Sequence, residues 1–152
     1  MRKGVRIGVD VGQVRVGIAK SDSDGLMATP VGTFYREKND FSAVFRLVKQ
    51  LSVIEIIVGL PKNMDGSEGK SAIMARRWAR KISRKLPEIS VRLIDERLTS
   101  VSAHRLLQEA GRKEIDHRDI VDQVAAVLIL EQALELEKKT GEIPGYKVDN
   151  EN

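Results

Sequence analysis

Residues 5–21 read VRIGVDVGQVRVGIAKS, and this stretch decides the fold. Branched apolar residues alternate with other residue types over Val5–Val11 and again over residues 14–18, and a period of two predicts two strands. Gly12-Gln13 interrupts the alternation, so the two strands should form an antiparallel hairpin. A third strand is predicted over residues 31–35, which would extend the hairpin into a three-stranded antiparallel start.

Beyond the hairpin, helical and strand periods alternate along the chain. Helices are predicted over residues 39–51, 70–86, 99–111 and 118–139, and strands over residues 54–60 and 89–94. The strand at 54–60 is a continuous branched apolar run, which is typical of a strand buried on both faces. We therefore predict an α/β fold with a five-stranded mixed sheet, antiparallel at its start and then parallel, with helices on both faces.

The length and composition limit the class of protein. The chain has 152 residues, which is typical of one domain, and we place that domain at residues 1–140, followed by a polar, flexible tail at residues 141–152. It has no cysteine and two histidines, which excludes disulfides and thiolate metal sites and argues against an all-protein zinc site. The 26 Lys and Arg against 22 Asp and Glu give a mildly basic chain, which permits a nucleic-acid partner.

The sequence also bears on localisation. The N-terminus lacks the apolar stretch of a signal peptide, and no run approaches the length of a membrane span. We expect a cytoplasmic protein that acts away from the membrane.

Acidic residues lie where predicted strands end. Asp10 lies near the end of the first strand, Asp95 and Glu96 end the strand at 89–94, and Asp122 lies in the first turns of the last helix. Carboxylate oxygens are the ligands that Mg²⁺ and Mn²⁺ prefer, and such ions catalyse phosphoryl transfer. Each acid taken alone is equally consistent with a turn acceptor or a helix-dipole partner, so position alone leaves metal binding open.

Four motifs resemble, in order, those of the YqgF family of RuvC-like Holliday junction resolvases, in the ribonuclease H superfamily. They lie at residues 8–22, 59–66, 95–100 and 121–130, and together span most of the chain. The resemblance implies a ribonuclease H-like fold and a hydrolase that is a nuclease, dependent on Mg²⁺ or Mn²⁺. It also implies that Asp10, Glu96 and Asp122 are the catalytic, metal-binding acids.

The same resemblance implies a substrate. Family proteins are linked to maturation of the 5′ end of the small-subunit ribosomal RNA precursor, pre-16S rRNA, so the expected partner is that RNA, alone or in a ribosome precursor. The alternative is a Holliday junction resolvase that acts on branched DNA, for which symmetric cleavage would need a homodimer.

Two other functions compete with a nuclease. A non-catalytic RNA-binding module that kept the fold is a further alternative. An actin-like ATPase would need two such domains, and 152 residues supply one.

Basic residues near the acidic site are candidates for substrate binding. Arg15 and Arg97 adjoin the proposed ligands, and their guanidinium groups match phosphate geometry; ordinary salt bridges to Asp22 or Asp95 are the alternative. The loop at residues 61–69 could close over a substrate strand. The basic side of the helix at residues 76–85 is a second candidate for tracking a phosphate backbone, and its Trp78 is predicted to lie in the core.

Overall fold

The computed structural model describes residues 1–97 and 118–148, with the backbone alone over residues 118–121. The strands are β1 (Val5–Val11), β2 (Arg15–Ser21), β3 (Ala28–Tyr35), β4 (Val53–Leu60), β5 (Ser90–Asp95) and β6 (Tyr146–Lys147). The helices are α1 (Asp40–Gln50), α2 (Lys70–Lys85) and α3 (Arg118–Thr140). The helix predicted over residues 99–111, which contains His104, lies outside the described residues, and so does His117.

The strands form one mixed sheet in the order β3-β2-β1-β4-β5-β6. β1 pairs antiparallel with β2, and β2 pairs antiparallel with β3. β1 pairs parallel with β4, and β4 pairs parallel with β5. The antiparallel start and the parallel continuation predicted from the alternating periods are therefore confirmed.

The sheet has six strands where the sequence predicted five. The extra strand, β6, pairs antiparallel with β5 and lies in the segment that we expected to be a flexible tail. Within that segment, residues 144–148 lie against β5: Arg92 donates hydrogen bonds to the carbonyls of Pro144 and Gly145 at 2.6 and 2.7 Å, and Val148 is buried. Two strand residues are too few to show a period, and their partners lie more than 50 residues away, so the pattern gave no signal. The division at residue 140 stays a prediction.

Helices cover both faces of the sheet, as predicted. α1 and α2 pack on one face against a core that contains Ile7 and Val9. α3 packs on the other face, where Ile129 and Ala126 meet Ile57. Since side chains alternate along a strand, Val9 faces α1 and α2 whereas its neighbours at positions 8 and 10 face α3.

The fold also bears on two further predictions, the burial of Trp78 and the membrane spans. Trp78 is buried in the core, and its indole N–H donates to the Asp40 carboxylate at 2.9 Å, which confirms its core assignment. Among the described residues, the helices are too short or too polar to cross a bilayer.

Candidate active site

Three glycines let α3 lie close to the sheet. Gly8 on β1, Gly17 on β2 and Gly59 on β4 all present their missing side chain to α3. A methyl group at Gly8 would meet Leu130, one at Gly17 would meet the backbone of Asp122, and one at Gly59 would meet Ile129. Glycine alone permits this approach, because any side chain at these positions would collide with the helix. As a result, the first turns of α3 place Asp122 against the strands.

Asp10 and Asp122 meet at this crossing. Asp10 is paired with Gly17 across the β1–β2 ladder, and Gly17 lies directly against the backbone carbonyl of Asp122. Asp10 faces α3 by the strand alternation, and the residue is only 4% exposed. The two acids therefore lie on neighbouring segments, Asp10 on β1 and Asp122 in the first turns of α3.

Glu96 lies at the same end of the sheet. Its backbone N–H donates to the carbonyl of Leu60 at 3.2 Å, which holds it beside the end of β4. Its carboxylate lies against the α3 side of Gly59, and the residue is 3% exposed. The last β1–β4 pair is Val9 with Val58, so Gly59 is level with Asp10 in the next position along.

The three predicted acids thus border one end of the sheet on the α3 side, but they do not form a finished ligand set. Within residues 1–97 and 118–148, no group of three acidic or histidine side chains is arranged to hold a metal ion. The donor chemistry nevertheless fits a hard divalent cation, because all three offer carboxylate oxygens. Asp122 has a cationic partner in this arrangement.

That partner is Arg15. The Arg15 Nε lies 3.2 Å from Asp122 Oδ2, and both side chains are about three-quarters buried. The pair joins the first residue of β2 to the first turns of α3, 107 positions apart. Arg15 therefore lies beside Asp122 and forms its ion pair with Asp122 rather than with Asp22, and its role in binding phosphate stays a prediction. Asp22 instead accepts hydrogen bonds from the backbone N–H groups of the next turn.

Arg97 is held at the other side of Glu96 by Asp95. Its Nη2 lies 2.8 Å from Asp95 Oδ2, and its Nε and its backbone N–H also donate to that carboxylate. The side-chain hydrogen bonds from Arg97 hold the pKa of Asp95 below its usual range. The salt bridge that the sequence left open for Arg97 is thus present, and a role in binding phosphate stays a prediction.

The loop at residues 61–69 lies beside Arg97. It folds back on itself, because the backbone N–H of Asn63 donates to the carbonyl of Ser67 at 2.9 Å. Ser67 also donates to the Asp65 carboxylate from both its N–H and its hydroxyl, which lowers the pKa of Asp65. Gly66 has a φ of 91°, and the Arg97 guanidinium fills the space where its side chain would be. The loop therefore packs against the cation next to the site.

The chain is similar in sequence to known proteins. The family described as "RuvX: Holliday junction resolvase" matches residues 4–136. A relative from a Nocardioides species is 44% identical over 154 residues, covering 98% of this chain and 99% of the relative. A relative from Kineococcus radiotolerans is 47% identical over 151 residues, covering 97% and 80%. Both carry the name "Putative pre-16S rRNA nuclease".

A solved structure supports the fold independently. Thermus thermophilus RuvC in complex with a Holliday junction substrate superposes with a TM-score of 0.52 at 14% identity, covering 90% of this chain and 97% of that one. At this identity the likeness establishes the fold, which is the ribonuclease H-like architecture that the sequence motifs implied.

Proposed function

The chain belongs to the RuvX family of Holliday junction resolvases, and on that premise we propose that it is a divalent-metal-dependent nuclease that processes the 5′ end of pre-16S rRNA. The observation that supports the proposal is the position of Asp10, Glu96 and Asp122 near one end of the sheet, with Asp10 and Glu96 almost fully buried. Relatives of nearly the same length that carry a pre-16S rRNA nuclease name support the choice of substrate.

Asp10, Glu96 and Asp122 are the residues that would hold the ion. When bound, Mg²⁺ or Mn²⁺ would activate a water molecule and stabilise charge on the leaving oxygen. Asp10 and Glu96 are fixed by β1 and by the end of β5, so they supply a rigid part of the site. Asp122 is supplied by α3, where its carboxylate also pairs with Arg15.

Arg15 and Arg97 would bind the substrate backbone. Three carboxylates at one site repel a phosphodiester, and a cation beside them offsets that repulsion. Arg15 lies beside Asp122, where its guanidinium would contact a phosphate bound next to the ion. Arg97 adjoins Glu96 in sequence and lies between the acids and the loop at 61–69, where it can contact the phosphate on that side.

We expect Arg15→Ala and Arg97→Ala each to weaken nucleic-acid binding about equally across sequences. Each should flatten the dependence of affinity on salt by roughly one counterion, because one phosphate contact is lost. Arg97→Ala should also slow turnover. Binding titrations at several salt concentrations measure the slope, and Arg46→Ala, on the exposed side of α1, is the matched control. An unchanged slope in both variants would make these arginines structural partners of Asp122 and Asp95, and would move the phosphate track to α2.

Resolution of Holliday junctions in branched DNA is the second candidate, and the description of the family favours it. It would require two copies of the chain, since two opposed strands must be cut. Cleavage of precursor RNA and of a four-way DNA junction, measured side by side with Mg²⁺ or Mn²⁺, separates the two substrates. A protein that cuts neither but binds RNA would be a non-catalytic binding module instead.

A further inference from the structure

The short strand β6 carries an exposed aromatic ring at one edge of the sheet, next to β5. Tyr146 pairs with Leu93 of β5 and is 38% exposed. Its position is fixed on both sides, since Gly145 packs against the Leu93 carbonyl and the N–H of Val148 donates to the carbonyl of Val91 at 3.0 Å. The ring is therefore held on a rigid edge rather than on a free terminus.

Two cations lie over this ring. Arg76 of α2 places its guanidinium carbon 5.7 Å from the ring centroid, and its Nη2 donates to the Tyr146 hydroxyl at 3.2 Å. Lys62, from the loop at 61–69, places its ammonium 6.0 Å from the centroid. We call Tyr146, Lys62 and Arg76 the edge platform. It joins three segments that are remote in sequence.

The two cations differ in how firmly they are held. Glu68 binds the Arg76 guanidinium through two hydrogen bonds, at 2.5 and 2.7 Å, so Arg76 is fixed and its charge is largely neutralised. Lys62 has no carboxylate within ion-pair distance among the residues that the structure describes. Because lysine has a flexible stem and a strongly hydrated point charge, it can exchange the ring for a phosphate.

The platform lies on the α2 face of the sheet, whereas the three acids border the end of the sheet from the α3 face. Tyr146 is level with Leu93, two residues or about 7 Å before Asp95, the partner of Arg97. Lys62 of the platform belongs to the loop at 61–69, and Arg97 packs against the same loop. Next to the platform, α2 holds seven Lys or Arg residues and no Asp or Glu. A strand of nucleic acid that passes from Arg97 over this loop would therefore meet the aromatic ring and then the cations of α2.

We propose that the edge platform binds an unpaired nucleotide of the substrate, with the base stacked on Tyr146 and the adjoining phosphate held by Lys62. An aromatic face bordered by cations is the arrangement with which proteins bind single strands without reading their sequence. The proposal rests on the nuclease function to the extent that it takes this nucleotide to flank the part of the substrate that Arg97 contacts. It predicts that the enzyme takes substrates with a single-stranded flank.

The test is the affinity for a labelled single-stranded oligouridine of about twelve nucleotides, measured by fluorescence anisotropy in EDTA so that no cleavage occurs. Tyr146→Leu should weaken binding about tenfold, since one stacked base is lost, whereas Tyr146→Phe should stay within about twofold. Lys62→Met should flatten the salt dependence by roughly one counterion. Binding to an RNA duplex of the same length should not change with Tyr146→Leu.

The other tyrosine of the chain provides a matched control. Tyr35, at the opposite edge of the sheet, is 53% exposed and has Lys38 at 5.9 Å from its ring centroid, and it pairs with Arg15 across the β2–β3 ladder, so Tyr35→Leu removes a similar ring and cation contact outside the edge platform. The proposal is overturned if Tyr146→Leu binds the single strand like the wild type, or if it weakens binding of the RNA duplex as much as binding of the single strand. If Tyr146→Leu lowers the melting temperature, the salt slope of Lys62→Met decides the question.

Failure of this proposal and failure of the nuclease function give different results. Binding in EDTA does not depend on cleavage, so Tyr146→Leu can weaken binding in a protein that proves inactive, and the platform would then stand without the nuclease. Conversely, if cleavage depends on Asp10 but the affinity for single-stranded RNA is unchanged in Tyr146→Leu, the protein is a nuclease that does not use this platform.

Discussion

Asp10→Asn is expected to reduce cleavage by about a thousandfold or more, the scale on which loss of one electrostatic group acts at a reacting site. The substitution keeps the shape of the side chain and removes one negative charge from the set that would hold a divalent cation. Asp10 is nearly buried beneath α3 and next to Asp122, so nothing in the solvent can replace it. Cleavage of precursor RNA with saturating Mg²⁺ or Mn²⁺ is the measurement.

The fold should survive this substitution. Asn fills the same space on β1, and without metal the loss of one charge relieves repulsion among neighbouring carboxylates. The melting temperature of Asp10→Asn should therefore equal or exceed that of the wild type in EDTA. Asp24→Asn is the matched control, because Asp24 is exposed in a turn away from the site. A variant at Asp10 that keeps its rate, or that unfolds, would contradict the assignment.

Local periodicity was sufficient to predict most of the sheet. The alternation in Val5–Val11 and the apolar run over residues 54–60 predicted β1 and β4, and the two strands are paired at the centre of the sheet. The same logic placed Asp10 near the end of β1, and Asp95 and Glu96 at the end of β5, whereas the choice of Glu96 as a catalytic acid came from the resemblance of the motifs. Strand ends and strand faces are local properties of the chain, and periodicity reports them directly.

Pairing between distant residues could not be predicted in this way. The partner of Arg15 is 107 positions away, and the sequence offered Asp22, which is nearer along the chain, as its alternative. The edge platform likewise depends on β6, whose two residues carry no period. The contacts that complete the site are set by the approach of α3 to glycines, a tertiary feature that a single sequence does not display.

A buried ion-pair network under the far end of α3 was missed for the same reason. Arg6 and Glu55 interrupt apolar strands and are fully buried, and Glu137 of α3 lies against them. The Glu137 carboxylate accepts a hydrogen bond from Arg6 at 2.8 Å and further bonds from the side chain and backbone N–H of Arg2, which in turn binds Glu55 at 3.1 Å. Arg2 and Glu137 thereby join the N-terminus to the last helix.

This network makes stability depend on pH. Burial alone would raise the pKa of Glu137, but hydrogen bonds from Arg2 and the charges of Arg6 and Arg2 lower it to about 2 from its ordinary 4.5. A carboxyl with a lowered pKa in the folded state contributes stability that is complete above the unfolded value. The free energy of unfolding should therefore fall as the pH drops from about 4.5 toward 2, where Glu137 takes up its proton.

Glu137→Gln should cost about 3 kcal/mol of folding stability at pH 7, because it leaves the buried Arg6 guanidinium without its counter-charge. It should also remove the part of the acid dependence that Glu137 provides. Urea unfolding at pH 7 and at steps between pH 5 and 2.5 measures both effects.

Glu135→Gln is the matched control on the same helix. Glu135 forms an exposed pair with Lys139 at 3.2 Å, so this substitution should lower the folding stability by less than about 1 kcal/mol. Equal stabilities of the two variants, or an acid dependence that Glu137→Gln leaves intact, would show that the network does not hold α3 to the N-terminus. Since α3 carries Asp122, a destabilised network should also lower cleavage at temperatures where the helix begins to separate from the sheet.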